Sequence, residues 1–278
     1  MTEEATKALV AAAEAGGLAP SIHNTQPWRW IVDADGLELH AETSRHLAEL
    51  DAEHHLLMIS CGAALHHALV DLLAAGWRVE VERPAAKPLA RVRLTGRGEP
   101  DPVAVARADA APNRHADRRP VAPQPVPAEA LKAVTGAMRD AGVEVHVLRR
   151  DQVIDLASAV SRAQRAEETD ERQRAELAAW VGGERSSGVG VPDAAIPDAA
   201  PQTTVPGRDF GVTGSLPPGA GHDEAAVFAV LYGRADTAVN WLRAGEALAA
   251  GWLDAVRLGL TLLPFSAPVE IASTRHLL

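Results

Sequence analysis

Residues 55–75 constrain this chain more than any other stretch. Leu56, Ile59, Ala63, Leu65, Leu69, Leu72 and Leu73 recur at helical spacing, Asp71 is the one charged side chain in the run, and Gly76 ends it. A helix this apolar has little surface to offer water, so it has to be surrounded by other elements. At 278 residues the chain is long enough to supply that shell, as two domains or one large one. A bilayer would be the other surrounding, but no uninterrupted run of about 18 uncharged apolar residues exists, which excludes a spanning protein.

Charge and cysteine usage narrow the class further. The net charge of −10 repels polyanions and argues against a nucleic-acid partner, since the chain has no basic excess to hold one. Cys61 stands alone, so neither an internal disulfide framework nor a Cys-rich zinc site can form. The N-terminal Met1-Thr2-Glu3-Glu4 is acidic where a signal peptide needs positive charge, and the expectation is a cytoplasmic protein. Nearly all the basic residues are arginine, with Lys7, Lys87 and Lys132 the exceptions, so a single Arg carries little information by itself.

Around the central helix the sequence predicts an alternation of helices and short strands. Residues 3–15 are strong helix formers stopped by Gly16-Gly17, and alternating residues 28–32 and 37–41 flank the tight-turn string Asp33-Ala34-Asp35-Gly36. Strands are expected at 78–82 and 90–94, a short helix near 103–110, a helix over 127–141, a strand over 143–148 and one or two charged helices over 151–180. A strand at 228–233 and an amphipathic helix over 237–258, stopped by Gly259, follow. The second half thus restarts the order of the first. Between these lies 182–222, rich in Gly and Pro and without a periodic apolar face, which reads either as disordered or as a functional lid.

Three strings carry chemistry. Pro20-Ser21-Ile22-His23-Asn24-Thr25-Gln26-Pro27-Trp28 joins the first helix to a strand and is crowded with groups able to hydrogen-bond a planar heterocycle, held by two prolines. An ordinary polar helix-to-strand turn has the same composition. Arg114-His115-Ala116-Asp117-Arg118-Arg119-Pro120 places forked guanidinium donors at the short spacing a phosphate dianion needs, though a solvated Arg run in an Arg-rich chain reads likewise. Trp241–Ala247 opens the late helix, and Pro264-Phe265-Ser266 follows it. The pairs His54-His55 and His66-His67 raise a metal reading, but no carboxylate stands beside them in a ligand pattern, so surface or core histidines and no metal site are expected. Cys61 sits among apolar residues as inert packing, and neither a Gly-x-Gly-x-x-Gly nor a Walker pattern appears.

The string Pro-Ser-x-x-Asn-x-Gln-Pro-Trp resembles the flavin-contacting turn of the nitroreductase superfamily, and the 114–120 string is similar to its phosphate-gripping basic motif, with Ala116 where a Ser or Thr is usual. Together with the late helix and Ile59–His67, they make the chain similar to the Acg subfamily, over nearly its whole length. The resemblance implies an α+β nitroreductase-like fold in which two halves, 1–97 and 98–278, mimic the usual homodimer, with 182–222 as a lid over the flavin. It implies one non-covalent FMN, with Arg114, Ala116 and Arg118 at the phosphate, Ser21, Ile22, Asn24 and Gln26 at the ring, and Pro264, Phe265 and Ser266 along the opposite edge. Only Lys7 precedes the first turn, so one site is expected and not two. The implied activity is hydride transfer from NADH or NADPH through FMN to a small acceptor, with no side chain standing out as acid or nucleophile. The alternative is an FMN-sequestering or sensor protein whose lid keeps reductant out, in a chain that is a monomer or a homodimer. Members of the subfamily continue with another strand beyond the point where this chain reaches Leu278, which leaves open whether the sheet of the second half is complete.

Overall fold

A computed structural model describes residues 1–84, 86–185, 187–217, 219 and 221–275. Helix α1 (Glu3–Gly16) begins where the Thr2 hydroxyl accepts the Ala5 amide at 3.2 Å and buries Ala5, Leu9 and Ala12. Strands β1 (Trp28–Asp33) and β2 (Gly36–Ala41) form a hairpin. The Asp33 carboxylate accepts the amides of Asp35 and Gly36, which turns the chain. Helix α2 (His55–Ala74) follows, then β3 (Trp77–Glu82) and β4 (Ala90–Arg97). The four strands make one antiparallel sheet in the order β1-β2-β4-β3.

The second half runs α3 (Pro102–Ala110), capped by Asp101, α4 (Ala128–Asp140), β5 (Glu144–Val147), α5 (Arg150–Thr169) and α6 (Glu171–Trp180). Strand β6 (Ala229–Tyr232), helix α7 (Ala238–Arg257) and the short α8 (Ala267–Glu270) and α9 (Ala272–Arg275) complete it. β5 pairs antiparallel with β6, from Glu144 opposite Tyr232 to Val147 opposite Ala229. Among the described residues, Leu260 and Leu262 pack on the α4–β5 layer without adding a strand to that pair.

α2 is the buried centre that its composition demands. Leu57, Met58, Cys61, Leu65, Ala68 and Leu72 pack with Leu9, Leu37, Leu39 and Val92 in the largest apolar cluster. With a mean hydropathy of 1.7 this helix is long and apolar enough to cross a membrane, but α1, α3, α7 and the sheet enclose it. Its crossing with α7 is made possible by two glycines. A Cβ on Gly62 would lie 1.9 Å from Leu242 O, and one on Gly245 would lie 1.9 Å from Ile59 O. Each glycine is the eighth residue of a 20-residue helix, so the contact is reciprocal. The order α1–β1–β2–α2 recurs as α4–β5–β6–α7, the difference being what joins the paired strands.

The stretch 182–222, open between disorder and an ordered cover in the sequence, is folded over its described residues. Val191, Ile196, Val205 and Phe210 are buried, the first two and Phe210 in a cluster with Leu47, Leu50, Leu177 and Val181. The Asp223 carboxylate accepts the amides of Thr204 and Val205 at 2.8 and 2.9 Å.

Candidate functional site

A cavity of about 790 Å³ opens between the 20–24 turn, one face of α2, the 114–118 string, residues 190–213, the α7 residues Leu248 and Trp252, and residues 263–267. Ser21, Ile22, Asn24, Arg114, Ala116, Arg118, Pro264, Phe265 and Ser266 all line it, although they are scattered over most of the chain. Gln26 does not: its side-chain amide donates to Gly188 O at 2.9 Å, away from the cavity wall.

The turn is held in an unusual backbone shape. His23, Asn24 and Gln26 have φ of 43, 54 and 50°, in the left-handed region that costs non-glycine residues of order 1–3 kcal/mol each. What offsets that cost is a set of hydrogen bonds. The Ser21 hydroxyl accepts the Gln26 amide at 3.0 Å, and the Ser60 hydroxyl on α2 accepts the Ile22 amide at 3.1 Å. Asn24 Nδ2 donates to Gly188 O and Gly190 O at 2.9 and 3.0 Å, while the Gly190 amide donates back to Asn24 O. The Asn24 and Gln26 amide donors are thus spent on the 182–222 segment.

Arg114 and Arg118 are mounted alike by different parts of the molecule. The Arg114 guanidinium lies over the Trp252 ring at 4.6 Å and donates from Nη2 to Leu18 O at 3.4 Å, while its Nε is buried without a partner. Arg118 lies over the Phe210 ring at 5.1 Å and donates from Nη1 to Ala195 O at 3.0 Å. Among the described residues neither has a carboxylate partner. Burial pulls Arg114 down to about 10, and burial with the neighbouring Arg208 charge lowers Arg118. Two half-buried cations without carboxylate partners among the described residues can receive an anion. Arg119 differs: it is exposed and folds back on Asp117, Nη2 to Oδ2 at 2.7 Å.

Two residues in the cavity wall carry more than the sequence disclosed. Arg208 is largely buried, with 11% of its side chain exposed, and donates to Glu167 Oε2 at 2.8 Å and to both Glu270 oxygens at 2.8 and 2.6 Å. Burial works against its charge, but Glu270 and Glu167 outweigh it and raise its pKa. Its three members lie far apart in sequence, one inside a Pro/Gly-rich stretch, so no spacing pattern could have paired them. His23, 7% exposed, sits edge-on to Phe210 at 6.0 Å with Nε2 unpartnered. Burial first, then Arg208 and Arg118, hold its pKa well below the ordinary histidine value, so it is a neutral imidazole.

The other singled-out residues lie elsewhere. The Cys61 thiol is buried, donates to Pro27 O at 3.3 Å and is pushed up by burial, so it is a packing group. His54 stacks on His46 and His55 on Trp241, while His66 and His67 point into the core with their Nε2 atoms buried. Among the described residues no group of three His, Cys, Asp or Glu side chains could hold a metal ion.

No family model matches the sequence. A Mycobacterium tuberculosis protein is 37% identical over 263 residues, which cover 92% of this chain and 75% of the relative. Acg from the same organism is 32% identical over 270 residues, 93% of this chain and 80% of its own length. Both bear the printed description "Putative NAD(P)H nitroreductase". The likeness runs through nearly the whole chain, and the chain belongs to the NAD(P)H nitroreductase family.

Proposed function

We propose that the protein binds one FMN non-covalently in the 790 Å³ cavity and uses it to pass a hydride from NADH or NADPH to a small acceptor. The observation that carries this reading is the pair Arg114 and Arg118: two half-buried guanidiniums in the cavity wall, each with its face on an aromatic ring and donors to spare, and neither with a carboxylate partner among the described residues. That donor set fits a phosphomonoester, and the volume lies in the range of cofactor pockets, roughly 300–1,000 Å³. When bound, the flavin supplies the two-electron chemistry. The protein's own residues bind and orient: Arg114 and Arg118 hold the phosphate, the 20–24 turn and Ser60 fix one wall for the ring, and residues 264–266 fix the other. The neutral His23 keeps that wall free of a further positive charge.

In the same reading the chain is two fused nitroreductase-like halves with a boundary near residue 97. The recurring element order and the reciprocal glycine contact of α2 and α7 support it. A single site follows from the halves' inequality. The polar turn precedes only β1, since α4 and β5 are joined by residues 141–143, and the basic string precedes only α4. The 182–222 segment is the lid, because it supplies much of the cavity wall.

The test is the visible spectrum of the purified protein after incubation with FMN, followed by NADH and NADPH oxidation with a nitroaromatic or quinone acceptor. A bound flavin, FMN held more tightly than riboflavin, and acceptor-dependent turnover are expected. Equal affinity for FMN and riboflavin would overturn the phosphate assignment, and bound FMN without turnover would overturn the enzymatic one in favour of storage.

A further inference from the structure

The two arginines that face the cavity are braced in the same way, but by parts of the molecule of very different permanence. Arg114 rests on Trp252, a fully buried residue of α7, and on Leu18 O beyond the end of α1. Neither support belongs to the 182–222 segment: Trp252 is core, and Leu18 lies just past the end of α1. Arg118 rests on Phe210 and on Ala195 O, and both of those belong to the 182–222 segment. Without that segment in place, nothing among the described contacts fixes the Arg118 side chain.

We infer that Phe210 is a positioning residue for anion binding, so that the 182–222 segment builds half of the phosphate grip as well as covering the cavity; this rests on the FMN reading above. A guanidinium offers its flat face to an aromatic ring and its edges to hydrogen-bond acceptors. With the face on Phe210 and Nη1 on Ala195 O, the remaining edge donors of Arg118 are left for an anion and the side chain loses its rotamer freedom before the anion arrives. Phe210 is itself held from three sides. His23 meets it edge-on, the cluster of Leu47, Leu50, Val191 and Ile196 packs on it, and Arg208, two residues earlier, is locked by Glu167 and Glu270. The ion cluster therefore fixes the ring, and the ring fixes Arg118. His23 and Asn24 tie the same segment to the turn.

The inference separates a brace from mere packing, because a brace acts only through Arg118 and only on the phosphate. Affinities for FMN and for riboflavin, measured by quenching of flavin fluorescence, are compared in the wild type, Phe210→Ala, Phe210→Leu, Phe210→Tyr, Arg118→Ala and the Phe210→Leu/Arg118→Ala pair. Phe210→Leu keeps apolar bulk in the cluster and removes the ring face. It should weaken FMN about three- to tenfold, with riboflavin changed less than about twofold and Phe210→Tyr close to wild type. Phe210→Ala should move in the same direction, further. In the Arg118→Ala background the Phe210→Leu change should add nothing, since the group it acts through is gone. Parallel losses for FMN and riboflavin, an unchanged or tightened FMN affinity, or full additivity of the pair would each overturn the brace. A wild type that does not distinguish FMN from riboflavin would instead overturn the cofactor reading on which it rests, and that failure is visible before any variant is made.

Discussion

The hairpins β1–β2 and β5–β6 stand at the same place in the recurring element order, yet one is closed by Ala34 and Asp35 and the other by residues 148–228. The short connection does only what a turn must: the Asp33 carboxylate satisfies two amides and the strands register from Trp28 opposite Ala41 onward. The long one holds two helices and contributes most of two apolar clusters, Arg208 and Glu167 of the ion cluster, and much of the cavity wall. The long connection stands at one of two corresponding places in the recurring element order and supplies much of the cavity wall. The difference teaches where tolerance lies: the recurring elements are held by mutual packing, while the long connection is held by two small apolar clusters and a few polar anchors.

Arg208→Met tests the strongest of those anchors. Removing the guanidinium leaves Glu167 and Glu270 facing one another, both buried, and breaking a buried ion cluster from one side costs about 3–5 kcal/mol. The loss should fall on the 190–213 region, seen as rapid proteolytic cleavage there with the β1–β2 hairpin still protected. Global unfolding with no local phase would show that the segment is part of the core and would break the contrast.

How much of this was legible in the sequence follows the same division. α2, α7, the β1–β2 hairpin and the separate strands β5 and β6 could be read because apolar spacing and turn chemistry are local signals, whereas the pairing of β5 with β6 across residues 148–228 left none; Arg114 and Arg118 stood out because they lie close together in one short string. The Asn24 and Gln26 amides could be placed in the turn but not aimed, since their partners at Gly188 and Gly190 lie in a stretch with no periodicity. Arg208 was hidden by the many arginines around it, and its partners are 41 and 62 residues away. The crossing of Gly62 and Gly245 left no trace because a glycine inside a helix looks like a mild defect until the backbone opposite is known.

That crossing gives the next test. Alanine at Gly62 or Gly245 gains about 1 kcal/mol of helix propensity, but the Cβ has to displace a carbonyl of the partner helix, which does not yield as a side-chain tip would. Each variant should lose about 2–3 kcal/mol in denaturant unfolding, and by similar amounts because the contact is reciprocal. Clearly unequal losses would mean that the two helices are not equivalent and would weaken the reading of two matched halves.

Acid sensitivity should distinguish the same two helices. His66 and His67 on α2 are pushed down to about 3, by burial first, then by Arg107 for His66 and by His66 and Arg114 for His67. The twelfth and thirteenth positions of α7 hold Ala249 and Ala250. The unfolded chain binds protons near the ordinary value of about 6.5 while the folded chain does not. Stability is therefore full above that pH and falls on acidification toward 3, by about 1.4 kcal/mol per pH unit for each histidine. His67→Gln should remove about one proton from that slope, measured as unfolding free energy against pH between 6.5 and 4. An unaltered slope would place the acid-sensitive groups elsewhere.

The smallest effect is the control that gives the glycine test its meaning. Gly136 lies inside α4, and a Cβ built there meets nothing within 4 Å, in contrast to the 1.9 Å contacts of Gly62 and Gly245. Here the entropic gain of alanine over glycine is opposed by no displaced backbone, so Gly136→Ala should raise stability by about 0.5–1 kcal/mol. All three glycines occupy helix interiors, and propensity predicts the same sign for each. Only the close approach of α2 and α7 reverses it. A gain at Gly136 with losses at Gly62 and Gly245 would assign those losses to the crossing, whereas a loss at all three in the same unfolding experiment would mean that the helices tolerate no added methyl group and that the crossing is not special.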